Sequence, residues 1–382
     1  MTRSAHGRDL AIDALRGLAI WSMVSLHFAD GTWAAEPTHL FPYMDGMSAF
    51  VLLSGLVLGI VHQRWISRFS LRYSVDRLIR RIAVLYVCQA AIGLAAVVAA
   101  QAFTRREFRR VSLLPYPDDV GEKIRWALGL RYLPSGGNIL LLYLILMIIA
   151  LAVIPILMRR WWPLVVVGSI GLYVVSQTST AGWMVVTSFP GGLEVQNWAA
   201  WQVLFVVALV IGWHWDRLRV PERVDAALPV LVAVSLAVGL TVRDVIRSKS
   251  VVRHSGWLID KVDLGVVRVI VAFLVVTTLY GVFRAVLRWT RRDVLRPLVS
   301  TGARSLDSYV IQALALLAVP AVLVARPWSP STAMTVAVAV FATCWLWAEA
   351  RSRFRIDKLH RLPMQMVQAG AAGIQRAGRA QR

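Results

Sequence analysis

Long apolar blocks constrain this chain more than any other feature. Residues 82–100, 139–158, 198–213, 266–286 and 332–347 are dominated by Ala, Val, Ile, Leu, Phe and Trp. An amphipathic helix of a soluble domain would return a polar residue every three or four positions; these blocks do not. Blocks of about 17–25 residues match the roughly 30 Å hydrocarbon layer of a bilayer. In lipid the backbone must satisfy its own hydrogen bonds, so each block reads as a helix. The expected fold is all-α, a polytopic transmembrane bundle of about ten helices.

The spans fall at roughly 11–30, 43–62, 83–101, 139–158, 163–179, 198–215, 228–242, 264–285, 305–325 and 332–349. Composition agrees, with 58% hydrophobic residues and only 16% charged; a soluble domain carries about a quarter charged. The net charge of +21 points superficially to nucleic acid. Its distribution excludes that, because the arginines flank apolar blocks, where they set topology and meet anionic headgroups. With both termini on the cytoplasmic side, about 27 basic residues lie inside and about 13 outside, the asymmetry of the positive-inside rule. This makes the chain a multi-pass protein of the inner membrane. Asp13 and Arg16 interrupt the first apolar block, so it does not read as a cleaved signal peptide.

Residues 1–350 read as one membrane domain and 351–382 as a basic cytoplasmic tail. Segment 64–82 intersperses arginines with Trp65, Phe69, Leu71, Leu78 and Ile79, the pattern of a helix lying in the inner interface. Loops 102–138 and 180–197 are long enough to expect function or disorder. Cys88 and Cys344 both fall inside spans and frame no disulfide scaffold. The seven histidines form no HExxH and no Cys/His cluster, so no metal is expected.

Ionisable groups inside spans cost about 2.5–3.5 kcal/mol each on insertion scales and need a reason. The first span holds Asp13, Arg16 and His27. Eleven residues separate Arg16 from His27, close to three helical turns, so the two share one face about 16 Å apart. Asp13, one turn before Arg16, is placed for a local pair. Arg16 suits a phosphate or carboxylate arriving from the cytoplasm. His27 suits a base that takes a proton from an attacking hydroxyl. The plain alternative is an arginine anchored at the headgroups and a histidine packed against another helix. Further polar groups mark other spans: Asp45 and Ser54 in the second, Asn138 before the fourth, Asn197 and Gln202 at the sixth, and Asp307, Tyr309 and Gln312 in the ninth. Ser54 with Gly55 and Gly59 equally fits close helix packing, and Asn197 or Gln202 an interhelical hydrogen bond. Asp307 equally fits a helix cap.

Several segments resemble one family in order. Asp9-Leu10-Ala11-Ile12-Asp13-Ala14-Leu15-Arg16-Gly17-Leu18-Ala19, followed by His27, resembles the opening helix of the OpgC family of membrane acyltransferases, within the wider acyltransferase-3 superfamily. Phe50-Val51-Leu52-Leu53-Ser54-Gly55 resembles its second-helix block. Asn138 to Tyr143, Asn197 with Trp201 to Val206, and Gly302 to Leu306 with Tyr309 resemble later blocks. Leu26 stands where the family often has an aspartate before the histidine, and Asn138 where it has another; Asp30 is the acidic residue placed to substitute. The resemblance implies an O-acyltransferase. It would move a short acyl group, of the succinyl or acetyl class, from cytoplasmic acyl-CoA to a hydroxyl of an envelope glycan or glycolipid. His27, Arg16 and Asp13 would be catalytic. Asp45, Ser54, Asn138, Asn197, Gln202 and Asp307 would bind substrate. No resident cofactor is implied, acyl-CoA being a co-substrate, and membrane lipids are partners. Two rivals differ in class: a transporter or flippase of an envelope precursor, since buried charges also mark transport routes, and a non-catalytic envelope scaffold.

Overall fold

The computed structural model describes residues 8–33, 35, 44–102, 119–134, 137–178, 182–189, 193–247, 256–290, 292–322 and 329–354. Among these the chain is a helical bundle with one small hairpin. The helices are α1 (Leu10–Ala29), α2 (Gly46–Arg68), α3 (Leu71–Ala102), α4 (Val120–Leu128), α5 (Ile139–Met158), α6 (Trp162–Thr178), α7 (Trp198–Trp213), α8 (Val220–Arg247), α9 (Val266–Trp289), α10 (Arg296–Ala303), α11 (Ser305–Val322) and α12 (Pro330–Arg353). Seven are long and apolar enough to cross a membrane; α6, α7 and the apolar part of α11 are shorter. Together they correspond to the ten apolar spans, and the protein is a polytopic membrane bundle.

α1 lies at the centre, packed by α2, α9, α10 and α12. Its approach to α10 is set by two glycines. A Cβ on Gly17 would collide with the backbone of Leu298, and one on Gly302 with the carbonyl of Asp13. α2 and α7 pair as closely, with Gly55 against the Phe205 backbone, and Gly59 and Gly212 completing the seam. Small residues let backbones meet where lipid supplies no hydrophobic drive between helices.

Two expectations are corrected. Segment 64–82 is not a separate interfacial helix. α2 runs to Arg68, and α3 starts at Leu71 and continues unbroken to Ala102. No glycine or proline interrupts residues 71–92, and Leu78 and Leu85 anchor its face in the core. At 32 residues α3 is about 48 Å long, so its basic first turns extend beyond a hydrocarbon layer of about 30 Å. The seventh span is likewise longer than 228–242, beginning at Val220 and ending at Arg247 with Pro229 inside. The described parts of the two long loops carry regular structure. Asp119 caps α4 by accepting from Gly121 and Glu122. Strands β1 (Val185–Ser188) and β2 (Leu193–Asn197) pair antiparallel, Val185 opposite Asn197. Pro115, Pro117, Asp118, Pro190, Gly191, Gly192 and the tail beyond Phe354 lie outside the described residues.

Candidate functional site

One end of the bundle is basic and hollow. There the N-terminal half of α1, the C-terminal half of α2 and the first turns of α3 enclose two cavities that meet at Arg16. One, about 380 Å3, is lined by Arg8, Asp9, Asp13, Arg16, Arg64 and Trp65 among others. Its neighbour, about 370 Å3, is lined by Arg16, Ser54, His62, Trp65, Arg77, Arg80, Arg81 and Tyr143 among others. Val57 and Val61 line both. A short helix turn explains the shared wall: Val57, Val61 and Trp65 recur every four residues along α2 and so project from one face.

Arg16 is the hinge of this space. Its Nη2 donates to the Ser305 hydroxyl at 2.5 Å, at the start of α11. Its Nε is buried with no hydrogen-bond partner among the described residues. Asp13 does not make its closest pair with Arg16; Arg8 Nη2 reaches its carboxylate at 3.1 Å and 3.2 Å. The same end is tied further round by Tyr280, which donates to Asp9 at 2.7 Å. Asp225 accepts from Arg284 at 2.7 and 3.0 Å and also from Arg288.

His62 was not singled out by sequence reasoning. It is buried and lines the Arg16 cavity, its Nδ1 2.6 Å from the Ser74 hydroxyl and its ring edge-on to Trp65 at 5.0 Å. The available signal was its spacing: His62 lies eight residues after Ser54, little more than two turns along α2. Gln89 in α3 was also missed. It is 1% exposed, and its amide has no hydrogen-bond partner among the described residues, as is true of fully buried Gln312.

His27 sits in the last turn of α1, half-buried, and lines neither Arg16 cavity. Between it and Arg16, the shared helix face carries the buried side chains of Ile20 and Met23. Asp30 ends the helix and is exposed. Ser54 contributes a buried hydroxyl without a hydrogen-bond partner among the described residues, on the cavity wall beside Tyr143. Behind it Phe50 packs edge-on against Tyr143 at 5.9 Å and beside Tyr309 at 6.3 Å. The Tyr309 hydroxyl accepts from the Ile139 amide at 3.3 Å.

The remaining expected residues stand apart. Asp45 caps α2, accepting from the Ser48 amide and hydroxyl at 2.8 Å each, and pairs with Lys261 at 3.1 Å. Asn138 precedes α5 without a side-chain capping bond. Asn197 caps α7 and donates to Asp263 at 2.9 Å. Gln202 accepts from Ser169 and gives its amide hydrogens to the carbonyls of Ser169 and Ala199. Asp307 does not cap α11; it accepts from Trp347 at 3.2 Å and from Arg351, joining α11 to α12.

Bundle and cavities together define a class: a multi-pass membrane protein with an arginine-lined chamber at one end. The family model described as OpgC protein matches residues 8–358, and the chain belongs to the OpgC family. At the family level it is an acyltransferase-type membrane enzyme of the cell envelope. No curated protein and no solved structure matches the chain closely enough to count as similar.

Proposed function

We propose that this protein is an O-acyltransferase that passes a short acyl group from cytoplasmic acyl-CoA to a hydroxyl of an envelope glycan or glycolipid. It does so from the inner membrane, with both termini in the cytoplasm. The observation that carries the reading is the paired cavity around Arg16, on the same helix face as His27. Six guanidiniums line it, against the carboxylates of Asp9 and Asp13. Such an excess suits the phosphates of a nucleotide-bearing donor, because guanidinium matches phosphate geometry and stays charged.

In this reading the donor's phosphates rest on Arg16 and the α3 arginines. Its extended arm runs outward along α1, a distance of about 16 Å, and Ile20 and Met23 shift to admit it. His27 takes the proton of the acceptor hydroxyl as the oxygen attacks the thioester carbonyl. The new C–O bond forms, the C–S bond breaks, and the thiolate leaves toward the basic end. Asp45, Asn138 and Asn197 bound the acceptor side. Gln202, its amide hydrogens already engaged, holds α6 against α7.

The test is turnover of acyl-CoA by the purified protein, coupled to mass spectrometry of envelope glycans and glycolipids from cells with and without the gene. Acyl transfer by wild type and its loss in a folded His27→Ala variant support the reading. Undiminished transfer by that variant removes His27 from the mechanism. Substrate movement without any thiol release identifies a transporter instead.

A further inference from the structure

A larger cavity, about 690 Å3, lies across Arg64 from the Arg16 chamber. It opens where α2 and α7 end and α5 turns into α6, walled by Gln63, Arg64, Arg160, Trp162, His214 and Arg217. Arg64 is paired with Asp216 at 3.6 Å. The side chains of Arg160 and Arg217 have no ion pair among the described residues. His214 Nδ1 lies 3.1 Å from the Val210 carbonyl. A carbonyl only accepts, so Nδ1 carries a hydrogen, and in the neutral ring Nε2 is the acceptor.

Trp162, in the cavity wall, opens helix α6, and the same helix carries an exposed apolar strip just beyond it. Leu164, Val167, Ile170 and Val174 of α6 are 59%, 67%, 47% and 53% exposed. Their spacing of three, three and four residues keeps them on one side of the helix. In a polytopic bundle such a strip lies in hydrocarbon. Trp161 and Trp162, at the start of the strip beside the cavity, are the residue type that sits at the headgroup level.

We propose that this cavity and strip form a phospholipid site. Arg160 and Arg217 hold the headgroup phosphodiester, and the acyl chains lie along Leu164, Val167, Ile170 and Val174. His214 Nε2 and Asp216 accept from headgroup hydroxyls. The chemistry favours an anionic, hydroxyl-bearing headgroup such as that of phosphatidylglycerol. A soluble nucleotide phosphate carries the same anionic chemistry, and the neighbouring Arg64 is shared with the Arg16 chamber. The exposed strip beside the cavity is what selects lipid. The site does not depend on acyl transfer.

The experiment is lipid retention by the full chain in detergent, read by native mass spectrometry, with phosphatidylglycerol, phosphatidylcholine, coenzyme A and inorganic phosphate as separate probes. Wild type should hold phosphatidylglycerol at least about tenfold more tightly than phosphatidylcholine, the equivalent of one lost charge-assisted contact. Arg160→Gln with Arg217→Gln should weaken phosphatidylglycerol retention by about tenfold or more, while Arg80→Gln with Arg81→Gln keeps it. Both double variants should elute from size exclusion as wild type does, because Arg80, Arg160 and Arg217 are exposed and Arg81 is only half-buried. Unchanged phosphatidylglycerol retention in the Arg160/Arg217 variant overturns the site. Displacement of the lipid by coenzyme A or inorganic phosphate overturns the lipid assignment and gives the cavity to a soluble phosphate.

Discussion

Arg16 of α1 and Ser305 of α11 are 289 residues apart in sequence and share a hydrogen bond of 2.5 Å. The bond fixes one edge of the guanidinium while its Nε stays buried without a partner among the described residues. A cation held by one neutral hydroxyl, beside a cavity lined by further arginines, is suited to receive an anion. Replacing Arg16 with Ala should therefore raise the KM for the acyl donor by about tenfold or more, the size of one charge-assisted hydrogen bond. Ser305→Ala should cost much less. Steady-state kinetics with donor varied at saturating acceptor measure both.

The two histidines should separate kinetically. His62 lines the Arg16 cavity, whereas His27 does not. His62→Gln should raise the donor KM with a modest change in kcat. His27→Ala should collapse kcat by about 10²-fold or more, as loss of a general base does, and leave donor binding in place. Equal effects of both variants on kcat would contradict this division of labour.

The seams at Gly17 and Gly302 leave no room for a methyl group, because the atoms in the way belong to backbone. Gly17→Ala and Gly302→Ala should each destabilise the bundle by about 1–3 kcal/mol or more. Gly168→Ala and Gly171→Ala in α6 meet no neighbouring atom and should be tolerated. Thermal unfolding of the four variants in one detergent checks the contrast.

Gln202 offers a test of structure against chemistry. Both ends of its amide are engaged by α6 and its own turn. Gln202→Leu should lower stability by about 1–3 kcal/mol, the cost of leaving buried partners unmet. At temperatures where the variant remains folded, its kcat should match wild type. A large fall in kcat in the folded variant would return Gln202 to the reaction centre.

At the opposite end, Asp45 should give the protein a pH dependence. Burial pushes its carboxyl upward, but Lys261 and the two Ser48 bonds outweigh that and hold it below the ordinary aspartate value. A lowered folded-state pKa stabilises the fold above the unfolded value of about 3.9, and that contribution fades as pH falls through the folded value. Asp45→Asn should therefore unfold at lower temperature than wild type at pH 7, and the gap should narrow on acidification. Thermal scans from pH 7 downward follow the gap.

Much of the site's first helix was legible in residue order. Arg16 and His27 share a face because helical periodicity is local, and the family blocks, from the opening helix to Tyr309, are short runs of neighbouring residues. The interfacial reading of 64–82 failed because its arginines resemble a surface helix. Nothing local says that Leu78 and Leu85 will be drawn into the core and carry those arginines along on a long span. The interhelical hydrogen bond offered for Gln202 is the one it makes, but its partner Ser169, like Asp263 for Asn197 and Arg351 for Asp307, comes from a distant segment that residue order does not name.

The sequence by itself determined a membrane bundle of about ten apolar helices, the basic asymmetry and the Arg16–His27 stripe, because hydrophobic length, flanking charge and helical pitch are properties of neighbouring residues. Only the tertiary structure decided which side chains share a cavity with Arg16. His62, Trp65 and the α3 arginines reach it because α2 packs against both α1 and α3, and interhelical distance is set by packing that no single segment encodes.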